Sequence, residues 1–334
     1  MSGSVNIGGA WKAISAVSAN IGGEWKAIDT GSVNIGGAWK SWWTSVIVSA
    51  WTTIDPLDVG RFGSAGFGTS SACDCTGGHT GSAITAEHEY YNGTAWATSG
   101  QDDLSSASYL GHGFGTHAAG AHCTGYNNLT ATQESSSGTV AAGGNYPNVL
   151  VCGAAVGTQN DAMTAGGCTT NAYADGAGVS TSCNNYDGSA WTSSADTLNT
   201  ARAGLALFGT PGDCVAAGGW VASAAGTNTC ERFDGSAWTT DVSNLPYGSA
   251  VSLQSGGSAA ASTAGGFVVF AGSASGGTTA IYNGSSKSWS DDEEATPGTL
   301  SDRGFGCGTA TSGIYGGMLS EGSPYTACYK LDRA

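Results

Sequence analysis

Positive charge is scarce in this chain. Ten Lys and Arg stand against 25 Asp and Glu, and charged residues fill only 10% of the 334 positions, where a quarter is usual. A chain with net charge −15 has little with which to displace counterions from a phosphate backbone. Nucleic acid is therefore not expected as a partner, and neither is an anionic membrane surface. No apolar run reaches the length of a membrane span. The opening residues lack a charged start followed by an apolar stretch, so synthesis in a cytoplasm without a leader is expected. Met and Pro are rare, at 3 and 6. Gly instead reaches 56, among many Ser, Thr and Ala, a composition that disfavours helices. The 11 Trp, 12 Tyr and 8 Phe supply the apolar area for a core. Short strands joined by Gly-rich turns fit this composition best.

Two repeats organise the chain. The first has three copies: Val5-Asn6-Ile7-Gly8-Gly9-Ala10-Trp11-Lys12, Ala19-Asn20-Ile21-Gly22-Gly23-Glu24-Trp25-Lys26, and Val33-Asn34-Ile35-Gly36-Gly37-Ala38-Trp39-Lys40. Trp11, Trp25 and Trp39 recur every 14 residues. A Gly-Gly pair between two β-prone runs signals a two-residue hairpin. Isolated hairpins are marginal in water, so residues 1–45 are expected to be a stalk that stacks on itself or on other chains, or a linker that orders on the next domain.

The second repeat spans 46–334. A Gly-Thr turn is followed about nine residues later by a Gly pair. The Gly-Thr positions begin at 68, 115, 157, 209, 256 (here Gly256-Gly257) and 308. The closing pairs are Gly77-Gly78, Thr124-Gly125, Gly166-Gly167, Gly218-Gly219, Gly265-Gly266 and Gly316-Gly317. Periods of 42 to 52 residues indicate propeller blades. After the pair come an aromatic residue, an Asn/Asp-Gly turn and a Trp: Tyr91 with Trp96, Tyr186 with Trp191, Phe233 with Trp238, Tyr282 with Trp289. Each unit thus reads as four strands, with Asn-Gly or Asp-Gly at hairpin turns. The second unit lacks the Trp after Tyr126-Asn127-Asn128. Trp51 sits in a copy of the fourth strand before any blade, and the last blade stops at Cys328-Tyr329. The expectation is a six-bladed β-propeller closed by the N-terminal strand.

These residues resemble the kelch repeat, with its strand-ending Gly pair, downstream Tyr and Trp, and a first-strand Arg matched by Arg61, Arg202 and Arg303. The likeness covers about 280 residues and specifies fold rather than function. This version of the repeat, and the hairpin units of 4–43, resemble fibre and appendage proteins of marine tailed bacteriophages. The resemblance implies a structural protein of a virion, made in the host cytoplasm and displayed on the particle. Its stalk would contact other virion proteins, as a homo-oligomer (a trimer is the guess), and its propeller would bind a host glycan or another virion protein.

Loop lengths point to a face. From the Gly pair to the aromatic takes 13, 19, 14, 16 and 12 residues, so variation concentrates between second and third strands, where recognition commonly sits. Trp220, Phe267 and His79 enter these connections as candidates to stack on sugar rings, or simply to cover blade edges. All five histidines, His79, His88, His112, His117 and His122, fall in the first two units without a compact metal spacing. No cofactor is expected; calcium at Asp291-Asp292-Glu293-Glu294 would need further oxygen ligands. The ten Cys are read as buried thiols. Oxidised pairs at Cys168 and Cys183, Cys214 and Cys230, or Cys307 and Cys328 are the rival. An enzyme acting on carbohydrate, oxidase or glycosidase, is the alternative function. The Asp187-Gly188-Ser189-Ala190-Trp191 turn only faintly matches a sialidase Asp-box, and the five Arg are too few for its carboxylate site.

Overall fold

The computed structural model is all-β: the described residues hold strands and no helix. Side chains are described for 51–127, 130–169, 178–222, 226–246, 279–290, 304–309, 311–317 and 325–332. Backbone alone is described for the strands of 4–50, 265–270, 319–320 and 323–324 and for single residues at other strand ends. The chain divides into two compact units, Met1–Ser49 with Arg333–Ala334, and Ala50–Asp332. In the first unit three antiparallel pairs form, Ser4–Ile7 with Ala10–Ala13, Ser18–Ile21 with Glu24–Ala27, and Gly31–Ile35 with Ala38–Trp43. Ile7 pairs with Ala10, Ile21 with Glu24 and Ile35 with Ala38, so two residues separate the strands each time.

The second unit is a β-propeller. Its first four blades are four-stranded and begin with Ala65–Thr69, His112–Thr116, Ala154–Thr158 and Ala206–Thr210. The closing blade joins Phe305–Gly308, Ser312–Gly316, Cys328–Arg333 and, as its outer strand, Ser49–Ile54 from the other end of the chain. Trp51 there shares an apolar cluster with Tyr315, Tyr329 and Leu331. This docking hides what would be an open sheet edge.

The count differs from the sequence expectation: five four-stranded blades form, not six. Between the fourth and closing blades lies a three-stranded sheet, Gly265–Phe270, Thr278–Asn283 and Ser288–Asp292. It packs on the fourth blade through Tyr282 and Phe208, and on the closing blade through Ile281 and Trp51. Gly265 and Gly266 pair with Asn283 and Tyr282 and open this strand, whereas Gly218-Gly219 follow theirs. The Gly pair in the fifth unit therefore begins a strand rather than ending one. Gly256-Gly257 lies outside the described residues.

Aromatic side chains join blade to blade. The third-strand aromatic and fourth-strand Trp of one sheet pack on a first-strand apolar side chain of the sheet before it. Phe114 meets Tyr186 and Trp191 at 6.0 and 5.9 Å, and Phe208 meets Tyr282 and Trp289 at 5.4 and 5.7 Å. Phe305 meets Trp96 at 5.6 Å, which closes the circle, and Val156 packs with Phe233 and Trp238. Large rings on a repeating strand position thus fill these four seams alike.

The Asn/Asp-Gly turns are longer than two residues. Tyr91 pairs with Trp96 and Tyr186 with Trp191, leaving four residues between. Asp187 Oδ1 accepts from the amides of Ser189 and Ala190 at 2.9 and 2.8 Å, and Asp234 Oδ1 accepts likewise from Ser236 and Ala237. The side chain thus takes the amides on one side of the reversal, while the Asp187 amide donates to Ala190 O at 3.2 Å and the Asp234 amide to Ala237 O at 3.3 Å. In the second blade the third strand is Thr132–Ser136 and the turn holds Gly138. The Tyr126-Asn127-Asn128 segment is therefore not that turn. Ser135 pairs with Val140 at the register where other blades set the aromatic against Trp.

Candidate functional site: the axial well and the first two blades

The first strands of the blades surround the axis, and their backbones nearly touch. A Cβ on Gly113 would lie 2.7 Å from Gly66 O and 2.9 Å from Phe67 Cδ1. Only glycine permits that approach. Where the strands end, the Gly-Thr turns diverge and leave a cavity of about 320 Å³. Its walls include Phe67, Phe114, Val156 and Leu207, and its rim carries Thr69, Thr116, Thr158, Thr210 and Thr309 with one carboxylate, Asp161. Apolar walls under a few polar groups are the usual make-up of a ligand pocket. At the opposite end of the same strands a cavity of about 50 Å³ is bordered by Ser64, His112, Leu205 and Phe305.

The well opens on the face opposite to the one that loop lengths favour. The connections between second and third strands start after Gly77-Gly78 and Gly218-Gly219, at the end marked by Ser64, whose hydroxyl donates to Gly77 O. Trp220 there is 4% exposed and packs with Phe62, Tyr109, Val151 and Ala203. It fills the structure between connections, so its ring does not present a stacking face. His79 is half-buried, 5.2 Å from Phe62 and 5.7 Å from Tyr109 in ring-centre distance, and its Nδ1 accepts from the Gly81 amide. The backbone of Phe267 lies in the three-stranded sheet, and its side chain is outside the described residues. So are the side chains of Asp291 to Glu294.

The arginines are structural. Arg61 is fully buried, donates to Cys75 O and sits 3.0 Å from Glu89 Oε1. Arg202 repeats this with Glu231 at 2.6 Å and donates to Gly218 O and Thr229 O. Each carboxylate also accepts backbone amides of the incoming crossover: Glu89 from Asp58 and Val59, Glu231 from Asn199 and Thr200. In the second blade Gln133 occupies that register and accepts the Ser105 amide, with Ser108 in place of Arg. In the third, Pro147 offers no amide, and Asn184 accepts from the Asn148 side chain instead. Arg303 is outside the described residues.

His88, His117 and His122 meet between the first and second blades, whereas the ring of His112 lies on the other side of the second blade, against Gly153. Asp74, fully buried, accepts from His88 Nε2 at 2.7 Å and from His117 Nδ1 at 3.0 Å, and Tyr90 stacks on His117 at 3.6 Å. His122 bridges Thr76 and Ser108 at 2.9 and 2.7 Å. Among the described residues no three His, Cys, Asp or Glu side chains converge as a metal set.

A disulfide joins Cys73 to Cys307, tying the first blade to the closing blade. This corrects the reading of all ten Cys as thiols, and in the rival pairing it puts Cys73 in place of Cys328 as the partner of Cys307. The sequence contains the partners 234 residues apart, and only ring closure brings them together. Cys183, Cys214, Cys230 and Cys328 are buried thiols. Burial pushes Cys183 and Cys230 up to about 12, which makes them inert packing groups.

No protein family matches this chain, and no curated protein matches it in sequence.

Proposed function

We propose that this chain is a non-enzymatic recognition module of a tailed-phage virion, a fibre or surface appendage whose propeller binds a host-surface glycan. The reading is carried by the axial well. Its apolar walls suit the flat face of a sugar ring, and its threonine rim supplies hydroxyl and backbone partners. Asp161 and the net charge of −15 disfavour an acidic ligand, so a neutral saccharide is the expected class. The hairpin repeats are the proposed anchor to other virion proteins, in a homo-oligomer. The three-stranded sheet is read as the sixth blade of a kelch-type ring.

Labelled protein applied to a glycan array and to host cells tests this. Thr158→Trp with Thr210→Trp, two exposed rim changes, should abolish glycan binding with melting unchanged. Undiminished binding by that variant, or turnover of the glycan by the wild type, overturns the reading.

A further inference from the structure

We propose that the Cys73–Cys307 disulfide is a redox lock on the ring that is served through the axial well: small thiols and small disulfides reach the Cys307 sulfur from the well and break or make the bond there.

The bond replaces a contact that other seams repeat. In the first three blades the residue before Gly-Thr is Phe67, Phe114 or Val156, and each lines the well. Each also meets a small residue on the second strand of the next blade. A Cβ on Gly120 would lie 2.4 Å from Phe67 Cε2, Phe114 shares a cluster with Ala162, and Val156 with Cys214. Gly120, Ala162 and Cys214 each pair with the Gly of their own Gly-Thr, and so does Cys73, opposite Gly68. Cys307 stands before Gly308-Thr309. The closing seam thus puts cysteine at both positions of a recurring contact, one of which faces the well.

The two sulfurs differ in what covers them. Cys73 is 0% exposed, lies in an apolar cluster with Leu57, Trp96 and Phe305, and is not part of the well's wall. Cys307 belongs to that wall, and its Sγ is 3.5 Å from the backbone oxygen of the rim residue Thr69. Gly68 and Gly308, which flank this part of the wall, have no side chain with which to cover the sulfur. Cys307 is itself buried, so only a slender reagent already inside the well can touch it.

The exchange follows from this one-sided access. A dithiol's thiolate attacks Cys307 Sγ, the S–S bond breaks, and Cys73 leaves as a thiolate that takes up a proton. The second thiol of the reagent then displaces Cys307 and closes a cyclic disulfide, so the reagent's two protons end on the two cysteines. Oxidation by a small disulfide runs the other way. Cys307 attacks it, Cys73 displaces the remaining half, and two thiols leave with the two protons. The outer closure by Ser49–Ile54 is non-covalent, whereas this bond ties inner strands 234 residues apart. The redox state of the surroundings therefore decides whether the ring stays linked when the outer strand leaves. A ligand seated in the well bars both reactions; that consequence rests on the proposed glycan site, the access itself does not.

The wild-type chain at about pH 8, where small thiols are partly ionised, is exposed to rising dithiothreitol. Free Cys73 and Cys307 are followed by alkylation and peptide mass spectrometry, and global unfolding is timed separately by urea jumps extrapolated to water. Reduction should stay proportional to dithiothreitol and outrun unfolding, whereas thioredoxin, a folded protein too large for a cavity of about 320 Å³, should never exceed the unfolding rate. A plateau at the unfolding rate, or equal rates with both reductants, overturns the proposal. Thr69→Trp, an exposed rim change beside Cys307, should slow dithiothreitol about tenfold by restricting access, with unfolding unchanged. An unaltered reduction rate in that variant overturns the route through the well. Neither arm uses a glycan, so failure here leaves the proposed binding function to its own test.

Discussion

Replacing Arg202 by Leu should destabilise the propeller sharply, and the reason lies in what is left behind. Arg202 and Glu231 are 0% and 1% exposed in their side chains. Removing the guanidinium leaves a carboxylate buried without its counter-charge, and leaves Gly218 O and Thr229 O without that donor. Breaking a buried pair from one side costs about 3–5 kcal/mol, or about 10 °C in melting temperature for a domain of this size. The second blade shows how to relieve it: Gln133 keeps the amide-accepting role with no charge. Arg202→Leu with Glu231→Gln should thus recover most of the loss, leaving about 1–2 kcal/mol for the missing hydrogen bonds. Urea unfolding of both variants followed by tryptophan fluorescence measures the difference. A single variant no less stable than the double would refute the claim that charge pairing, rather than side-chain volume, holds this crossover.

Three further outcomes are expected. Reduction, or Cys73→Ser, should lower stability by about 3–5 kcal/mol, the range for a disulfide closing a long loop, as read by denaturant midpoint with and without reductant. Gly113→Ala puts a methyl 2.7 Å from a backbone oxygen and should cost about 1–3 kcal/mol by calorimetry. Asp234→Ala, which removes the acceptor for the Ser236 and Ala237 amides, should lower the urea midpoint slightly at pH 7. Asp234 is held down to about 2 by Ser236 and the neighbouring amides. Its contribution is therefore present above the ordinary carboxylate range and lost as pH falls through about 2.

The fold was legible because its signals are local. Gly-Thr turns, Gly pairs and the aromatic with its Trp lie within one blade, and the orphan strand at Trp51 told where the ring would close. The fifth unit misled because Gly265-Gly266 looks the same whether it ends a strand or begins one, and only the pairing with Asn283 and Tyr282 decides. In the second unit Ser135 and Val140 carry no aromatic mark, so Tyr126 drew the turn to the wrong place. The site was less legible. A cavity on the axis is assembled from residues separated by whole blades, and loop length says nothing of it. The histidine spacing looked unordered in sequence because Asp74, not a metal, is what His88 and His117 share. Register offers one signal that sequence alone can exploit: Arg61 and Arg202 each stand seven residues before Gly-Thr, with a Glu two positions before the third-strand aromatic.

Ring closure is most directly tested by mapping disulfides in the purified chain after mild oxidation, by mass spectrometry of unreduced peptides. The account predicts that the Cys73 peptide is recovered linked to the Cys307 peptide. Linkage of Cys307 to Cys328 or of Cys214 to Cys230, or no Cys73–Cys307 link after oxidation, would contradict it.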